Sequence, residues 1–207
     1  GNTVQDEVFM KKAIELSKLA GSMGMNFGAV LVKDGKAVFC NENQIYTKHD
    51  PTFHGEAGLI REFCAQTGIT DLHEYTLYSS CEPCFMCSGA MVWVKLGRLV
   101  YGASNTDLEH ILGNAGCNCS GMVFKNSFWK PQVTSGVLRD ESLAVMREYF
   151  EKHEKAEKDI VKYIRKFVDI CNIQTVYTNN DTGWADIKNW RFFKLGKNDR
   201  FEKIMHE

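Results

Sequence analysis

Pro51-Thr52-Phe53-His54-Gly55-Glu56 and Ser80-Cys81-Glu82-Pro83-Cys84-Phe85-Met86-Cys87 decide how this chain of 207 residues is read. His54 to Ala65 carries a helical pattern after the loop that ends at Pro51-Thr52. Tyr75-Thr76-Leu77-Tyr78-Ser79 is a β-branched and aromatic run, hence a strand. A second helix opens near Pro83, because proline is favoured in a first helical turn, and runs through Met91 and Trp93. Arg98-Leu99-Val100-Tyr101-Gly102 returns to a strand. Strands alternating with helices imply a mixed sheet covered on both faces, a three-layer α/β/α sandwich.

The flanking sequence extends this pattern. From Asp6 to Met23, apolar residues at Phe9, Met10, Ala13, Ile14, Leu16, Leu19 and Ala20 follow the three-and-four spacing of an amphipathic helix. Ala29-Val30-Leu31-Val32 and Ala37-Val38-Phe39-Cys40 surround Asp34-Gly35, a strong hairpin signal. Beyond Thr106 the periodicity loosens, and Gly113 to Gly121 has the composition of a loop. Pro131-Gln132-Val133-Thr134 is expected to be an edge strand. Asp140 is a candidate N-cap for a helix carrying Leu143, Met146, Tyr149 and Phe150. The expected division is a domain over residues 1–157 and a helical and aromatic C-terminal extension over 158–207, with Trp184, Trp190, Phe192, Phe193 and Phe201.

Both quoted stretches place metal-binding side chains where helices begin. One imidazole, His54, and two thiolates, Cys84 and Cys87, fill three corners of a tetrahedron around Zn²⁺ and leave the fourth for water, as catalytic sites do. Cys84 and Cys87, three apart, project from one side of a first helical turn. A helix N-terminus also favours thiolate over thiol. Glu56 sits two residues from the histidine, close enough to exchange protons with that water without binding the metal. Each half alone is weak: His-x-Glu triplets usually mark a solvated helix face, and a lone Cys-x-x-Cys is as often structural or redox-active. H-x-E followed by P-C-x-x-C is the established signature of zinc nucleobase deaminases, so the pair is recognised rather than derived. Cys81 also forms a Cys-x-x-Cys with Cys84, but the proline position favours Cys84 and Cys87 and leaves Cys81 at a strand end. Cys117 and Cys119 are read as loop thiols.

Composition narrows the partners. Lys and Arg nearly balance Asp and Glu, giving a formal charge of -1. No global basic field is therefore present to bind a phosphate backbone. No stretch is long and apolar enough to span a bilayer, and Gly1 to Glu7 lacks the character of a signal peptide, so a cytoplasmic protein with no membrane partner is expected. Eight cysteines fit reduced thiols and a bound metal better than a disulfide framework in a chain of this size.

Asn26-Phe27-Gly28-Ala29-Val30, Asn43, His49 to Glu56 and Ser80 to Met91 together resemble the cytidine deaminase superfamily. Within it they are similar to the branch of guanine and guanosine deaminases, fungal cytosine deaminase and tRNA adenosine deaminase. The resemblance covers about residues 6–155. It implies a five-stranded mixed sheet with helices on both faces, one Zn²⁺ per subunit held by His54, Cys84 and Cys87, Glu56 as proton shuttle, and a homodimer. It further implies substrate contacts at Asn43, Phe27, Gly55, Trp93 and Asp107. Outside the family, Asn43 reads as a turn residue, and Phe27 and Trp93 as core aromatics.

Several positions depart from the purine-acting pattern. Gly55 gives His-Gly-Glu where most purine-acting relatives carry alanine, Asn26 replaces a proline, and Gln132 to Leu138 look more like tRNA adenosine deaminase. The expected substrate is a small-molecule nucleobase or nucleoside, guanine-like first, with cytosine and tRNA adenosine as alternatives and tRNA not favoured by the charge. A different class of protein, a catalytically silent binding module on the same fold, has no need of Glu56.

Overall fold

The computed structural model describes residues 3–21, 27–113, 119–152, 177–178 and 193–194. It divides into two compact units, Gly1–Tyr149 and Phe150–Glu207. The first unit holds helix α1 (Thr3–Gly21), strands β1 (Gly28–Lys33) and β2 (Lys36–Glu42), helix α2 (Gly55–Thr67), strand β3 (Thr76–Cys81), helix α3 (Phe85–Trp93), strand β4 (Arg98–Ala103), helices α4 (Asn105–Ile111) and α5 (Ser120–Lys125), and strand β5 (Gln132–Thr134). Helix α6 begins at 139 and is described to 152. Among the described residues of the second unit, β6 (Tyr177–Thr178) pairs antiparallel with β7 (Phe193–Lys194). The expected boundary at 157/158, Asn26, Cys117 and the aromatic residues Trp184, Trp190, Phe192 and Phe201 lie outside the described residues.

The five strands lie in the order β2-β1-β3-β4-β5, with β1 antiparallel to both neighbours and β3, β4 and β5 parallel. The hairpin between β1 and β2 turns through Asp34 and Gly35, both at positive φ (50° and 72°). A two-residue hairpin of the I′ type needs that conformation twice, which is why Asp-Gly serves there.

Side chains alternate across a strand with period two, and this chain uses that alternation to build two cores. Ala29, Leu31, Leu77 and Leu99 face one cluster with Leu59, Ile60 and Phe63 of α2, Met91 and Val92 of α3, and Phe124 of α5. Val30, Val32, Tyr78 and Val100 face the other, with Phe9, Met10, Ala13 and Ile14 of α1. The sheet is therefore covered on both faces, the three-layer arrangement expected.

The difference from expectation lies after β4. Helices α4 and α5 occupy part of the segment whose periodicity had loosened. Helix α4 is specified by a capping box: Asp107 N–H donates to Ser104 Oγ, and Ser104 N–H donates back to Asp107 Oδ2. Both helices are too short, at seven and six residues, for a hydrophobic period to show in sequence.

Candidate metal and catalytic centre

Parallel β3 and β4 joined through α3 form a β-α-β unit, and ligand sites in such sheets lie beyond the carboxyl ends of the strands. Here β3 ends at Cys81, and the chain then turns through Glu82-Pro83 into α3. Cys84 is the extended residue just before that helix (φ -68°, ψ 177°), and Ser88 N–H donates to its carbonyl at 2.9 Å. His54 occupies the same position before α2 (φ -67°, ψ 161°). Gly58 N–H donates to the His54 carbonyl at 2.8 Å. Two helix N-termini thus converge, and their aligned N–H dipoles favour negative sulfur between them.

The ligand atoms of His54, Cys84 and Cys87 all lie within 4.8 Å of one another. His54 Nδ1 is 3.6 Å from Cys84 Sγ. A tetrahedral edge between a Zn–N and a Zn–S bond measures about 3.5 Å, so this pair has the spacing one ion would span. A nitrogen and two sulfurs also make the donor set that zinc prefers, with a fourth position left over. The hydrogen bond from Cys87, joined by that of His54, holds the Cys84 thiol down to about 4 against the effect of burial. Cys81 is excluded from the group: it is buried at the end of β3, where burial pushes its thiol up. Cys119 is disulfide-bonded, which corrects its reading as a loop thiol.

Glu56, in the first turn of α2, is 6% exposed. Its Oε1 accepts from Ser79 Oγ at 2.7 Å, and its Oε2 lies 3.6 Å from Cys87 Sγ. Ser79 also lies 2.6 Å from the Cys81 carbonyl, so one hydroxyl hydrogen serves two acceptors. Burial raises the Glu56 carboxyl above its ordinary value, and the Ser79 bond only partly opposes this. A carboxyl moved in that direction, beside a metal-ligand cluster, has the properties of a proton carrier.

Three of the five expected substrate positions meet at this centre. Asn43 is buried, donates its N–H to the Phe27 carbonyl at 2.9 Å, and accepts from Ile45 N–H at its Oδ1 at 3.1 Å. That orientation leaves its NH₂ to donate elsewhere. Gly55 adjoins both: a Cβ there would stand 3.5 Å from the Phe27 carbonyl oxygen and 3.7 Å from Asn43 N. These are ordinary contact distances, so an alanine fits and glycine is not sterically required.

The other two positions are engaged elsewhere. Trp93, the last residue of α3, is 78% exposed and stands edge-on to Phe128 with ring centroids 5.5 Å apart, so it is not a core aromatic. Asp107 is bound by Arg139 through both oxygens, at 2.8 and 2.6 Å, and this partner draws its carboxyl down to about 2. Ser79, which holds Glu56, gave no motif signal, because a single strand serine has none.

A family model described as the cytidine and deoxycytidylate deaminase zinc-binding region matches residues 3–103. Guanine deaminase from Bacillus subtilis is 41% identical over 103 residues, 49% of this chain and 66% of that protein. A tRNA-specific adenosine deaminase from Buchnera aphidicola is 32% identical over 151 residues, 72% of this chain and 91% of that protein. Among solved structures, a guanine deaminase from Nitrosomonas europaea superposes with a TM-score of 0.60 at 27% identity, covering 69% of this chain and 83% of the other.

Proposed function

Because the chain belongs to the cytidine deaminase superfamily, we propose that it hydrolytically deaminates a free nucleobase or nucleoside, guanine first. The observation that carries the proposal is Glu56, buried, raised in pKa and set against the His54, Cys84 and Cys87 cluster. Bound by those three residues, Zn²⁺ supplies a Lewis acid that lets water act as a nucleophile near neutral pH. Glu56 carries one proton from the attacking water to the ring nitrogen, and then a second, from the hydroxyl left on the ring carbon, to the departing amine. The amino group leaves as ammonia, and the water oxygen remains as the ring carbonyl. Ser79 holds Oε1 of the shuttle, leaving Oε2 on the side of the cluster. Asn43 offers its NH₂ to a carbonyl or ring nitrogen of the base, with Phe27 and Gly55 beside it.

Guanine is placed first because the likeness to a guanine deaminase reaches 41% identity over 103 residues, and because the formal charge of -1 gives no field for a polyanion. Adenosine in tRNA is the second reading, favoured by a match that extends further along the chain and over most of the relative. A cytoplasmic homodimer remains part of the proposal; among the described residues no helix is long and apolar enough to cross a membrane. Ammonia release should be measured over guanine, guanosine, adenine, adenosine, cytosine and short tRNA stem-loops. Release from guanine is expected. Release from the stem-loop alone would replace guanine with tRNA adenosine, and zinc-loaded protein inert toward all six would overturn the enzymatic reading.

A further inference from the structure

The Cys84 thiolate is aimed by a peptide that two side chains hold from outside. The Pro83 carbonyl, in the same peptide plane as Cys84 N, accepts from Asn105 Nδ2 at 3.1 Å and from Ser88 Oγ at 3.3 Å. Asn105 is the first residue of α4, and its own N–H donates to Glu82 Oε2 at 2.8 Å. The other oxygen, Oε1, accepts Ser120 N–H at 3.1 Å and Ser120 Oγ at 2.7 Å, at the start of α5. Glu82 is 7% exposed and is itself tied to β4 through its N–H to the Ala103 carbonyl at 2.8 Å.

A buried carboxylate is costly unless donors surround it, and here three donors on two separate helices do so. Helix α4 is one short segment with Asn105 as its buried residue, and α5 is anchored by Phe124 at its far end, so Glu82 is what ties their two N-termini together. One side chain therefore fixes where the chain restarts at 105 and at 120, and 105 in turn holds the peptide next to a metal ligand. Only a carboxylate does this: an amide at position 82 has one acceptor oxygen and would turn its NH₂ toward one of the donors.

We propose that Glu82 is a positioning residue of the metal centre, fixing Asn105, which orients the Pro83–Cys84 peptide and so the Cys84 sulfur. The proposal rests on the metal site and not on the choice of substrate, so a zinc measurement decides it even where no base is turned over. Groups that orient ligands from outside are worth about 10–100-fold in metal affinity.

The test uses the full chain, Zn²⁺ competed against a chromophoric chelator, and the absorption bands of the Co²⁺-substituted protein. Glu82→Gln and Asn105→Ala should each weaken zinc binding about tenfold or more and shift the cobalt bands. The double variant should lose less than the two effects combined, since both act on one peptide. Asp6→Asn, which breaks a buried carboxylate cluster on the opposite face of the sheet, should lower the melting temperature and leave zinc affinity unchanged. Glu82→Gln and Asn105→Ala both binding zinc like the parent would overturn the proposal, and so would Asp6→Asn weakening zinc as much as they do. Should Glu82→Gln fail to fold, Asn105→Ala decides alone by the same criterion.

Discussion

Two carboxylates with little exposed surface lie on opposite faces of one sheet, Glu56 the more deeply enclosed, and their surroundings drive them in opposite directions. Asp6 of α1 is 4% exposed and Glu56 of α2 is 6% exposed. Asp6 receives Arg98 Nη1 and Nη2 at 2.8 and 2.7 Å and Tyr78 OH at 2.7 Å. The Arg98 guanidinium accordingly holds its carboxyl below the ordinary value of 3.8. Glu56 has one hydroxyl donor, which it shares, and burial wins. Burial alone therefore does not mark a catalytic acid. The deciding quantity is how much of the desolvation is offset by donors: fully offset, the group is a strut that ties α1 to β3 and β4; partly offset, it is ready to exchange a proton.

The largest effect should come from emptying the catalytic side. Cys87→Ser removes a buried sulfur donor, and zinc content with ammonia release should fall to background while the fold, read by circular dichroism, persists. A variant retaining full zinc would show that Cys87 is not a ligand. Next comes the strut. Arg98→Gln leaves Asp6 buried without its charge partner, which should cost about 3 kcal/mol in denaturant unfolding, the low end for a buried pair because Arg98 is partly exposed. Activity per folded molecule should not change; a variant as stable as the parent would show that the pair contributes no net stability.

A smaller effect is expected from acid. Asp6 and Asp107 both have folded pKa values below their unfolded ones, Asp107 at about 2. Such groups contribute stability above the unfolded value, near 3.8, and lose it as pH falls through the folded value. Stability should therefore drop between about pH 4 and pH 2, and Asp6→Asn should flatten part of that slope; an unchanged slope would remove Asp6 from the explanation. Glu56 has the opposite sign and should not add to the acid loss. The smallest effect belongs to Gly55→Ala. Its Cβ meets only ordinary contacts, so substrate preference and rate should stay near those of the parent, and a change of preferred base would show that the missing methyl selects the ring.

What the sequence disclosed follows from how local each signal is. The helix starts at His54 and Cys84, the Asp34-Gly35 turn and the alternation along β1, β3 and β4 are all set by residues a few positions apart. The grouping of His54, Cys84 and Cys87 was legible for the same reason, since each half-site lies within one helical turn. Asp6 and Arg98 are 92 positions apart, and Glu82 reaches Ser120 across 38. No local pattern announces such pairs. Helix α4 was partly legible: Ser104-x-x-Asp107 is a capping signal, masked by the absence of an apolar period behind it. Trp93 shows the limit of reading a residue by its type, because at 78% exposure and against Phe128 it is outside the core that a helical aromatic suggests.

The contrast between the two carboxylates is tested most directly by making each one an amide without changing its shape. Glu56→Gln and Asp6→Asn should be compared with the parent at equal zinc content, by ammonia release and by melting temperature. Glu56→Gln should lose about 10²–10⁴-fold in rate and melt no lower than the parent, while Asp6→Asn should melt lower and keep its rate per folded molecule. Near-normal turnover by Glu56→Gln, or a rate lost together with stability in Asp6→Asn, would contradict the assignment of one carboxylate to chemistry and the other to structure.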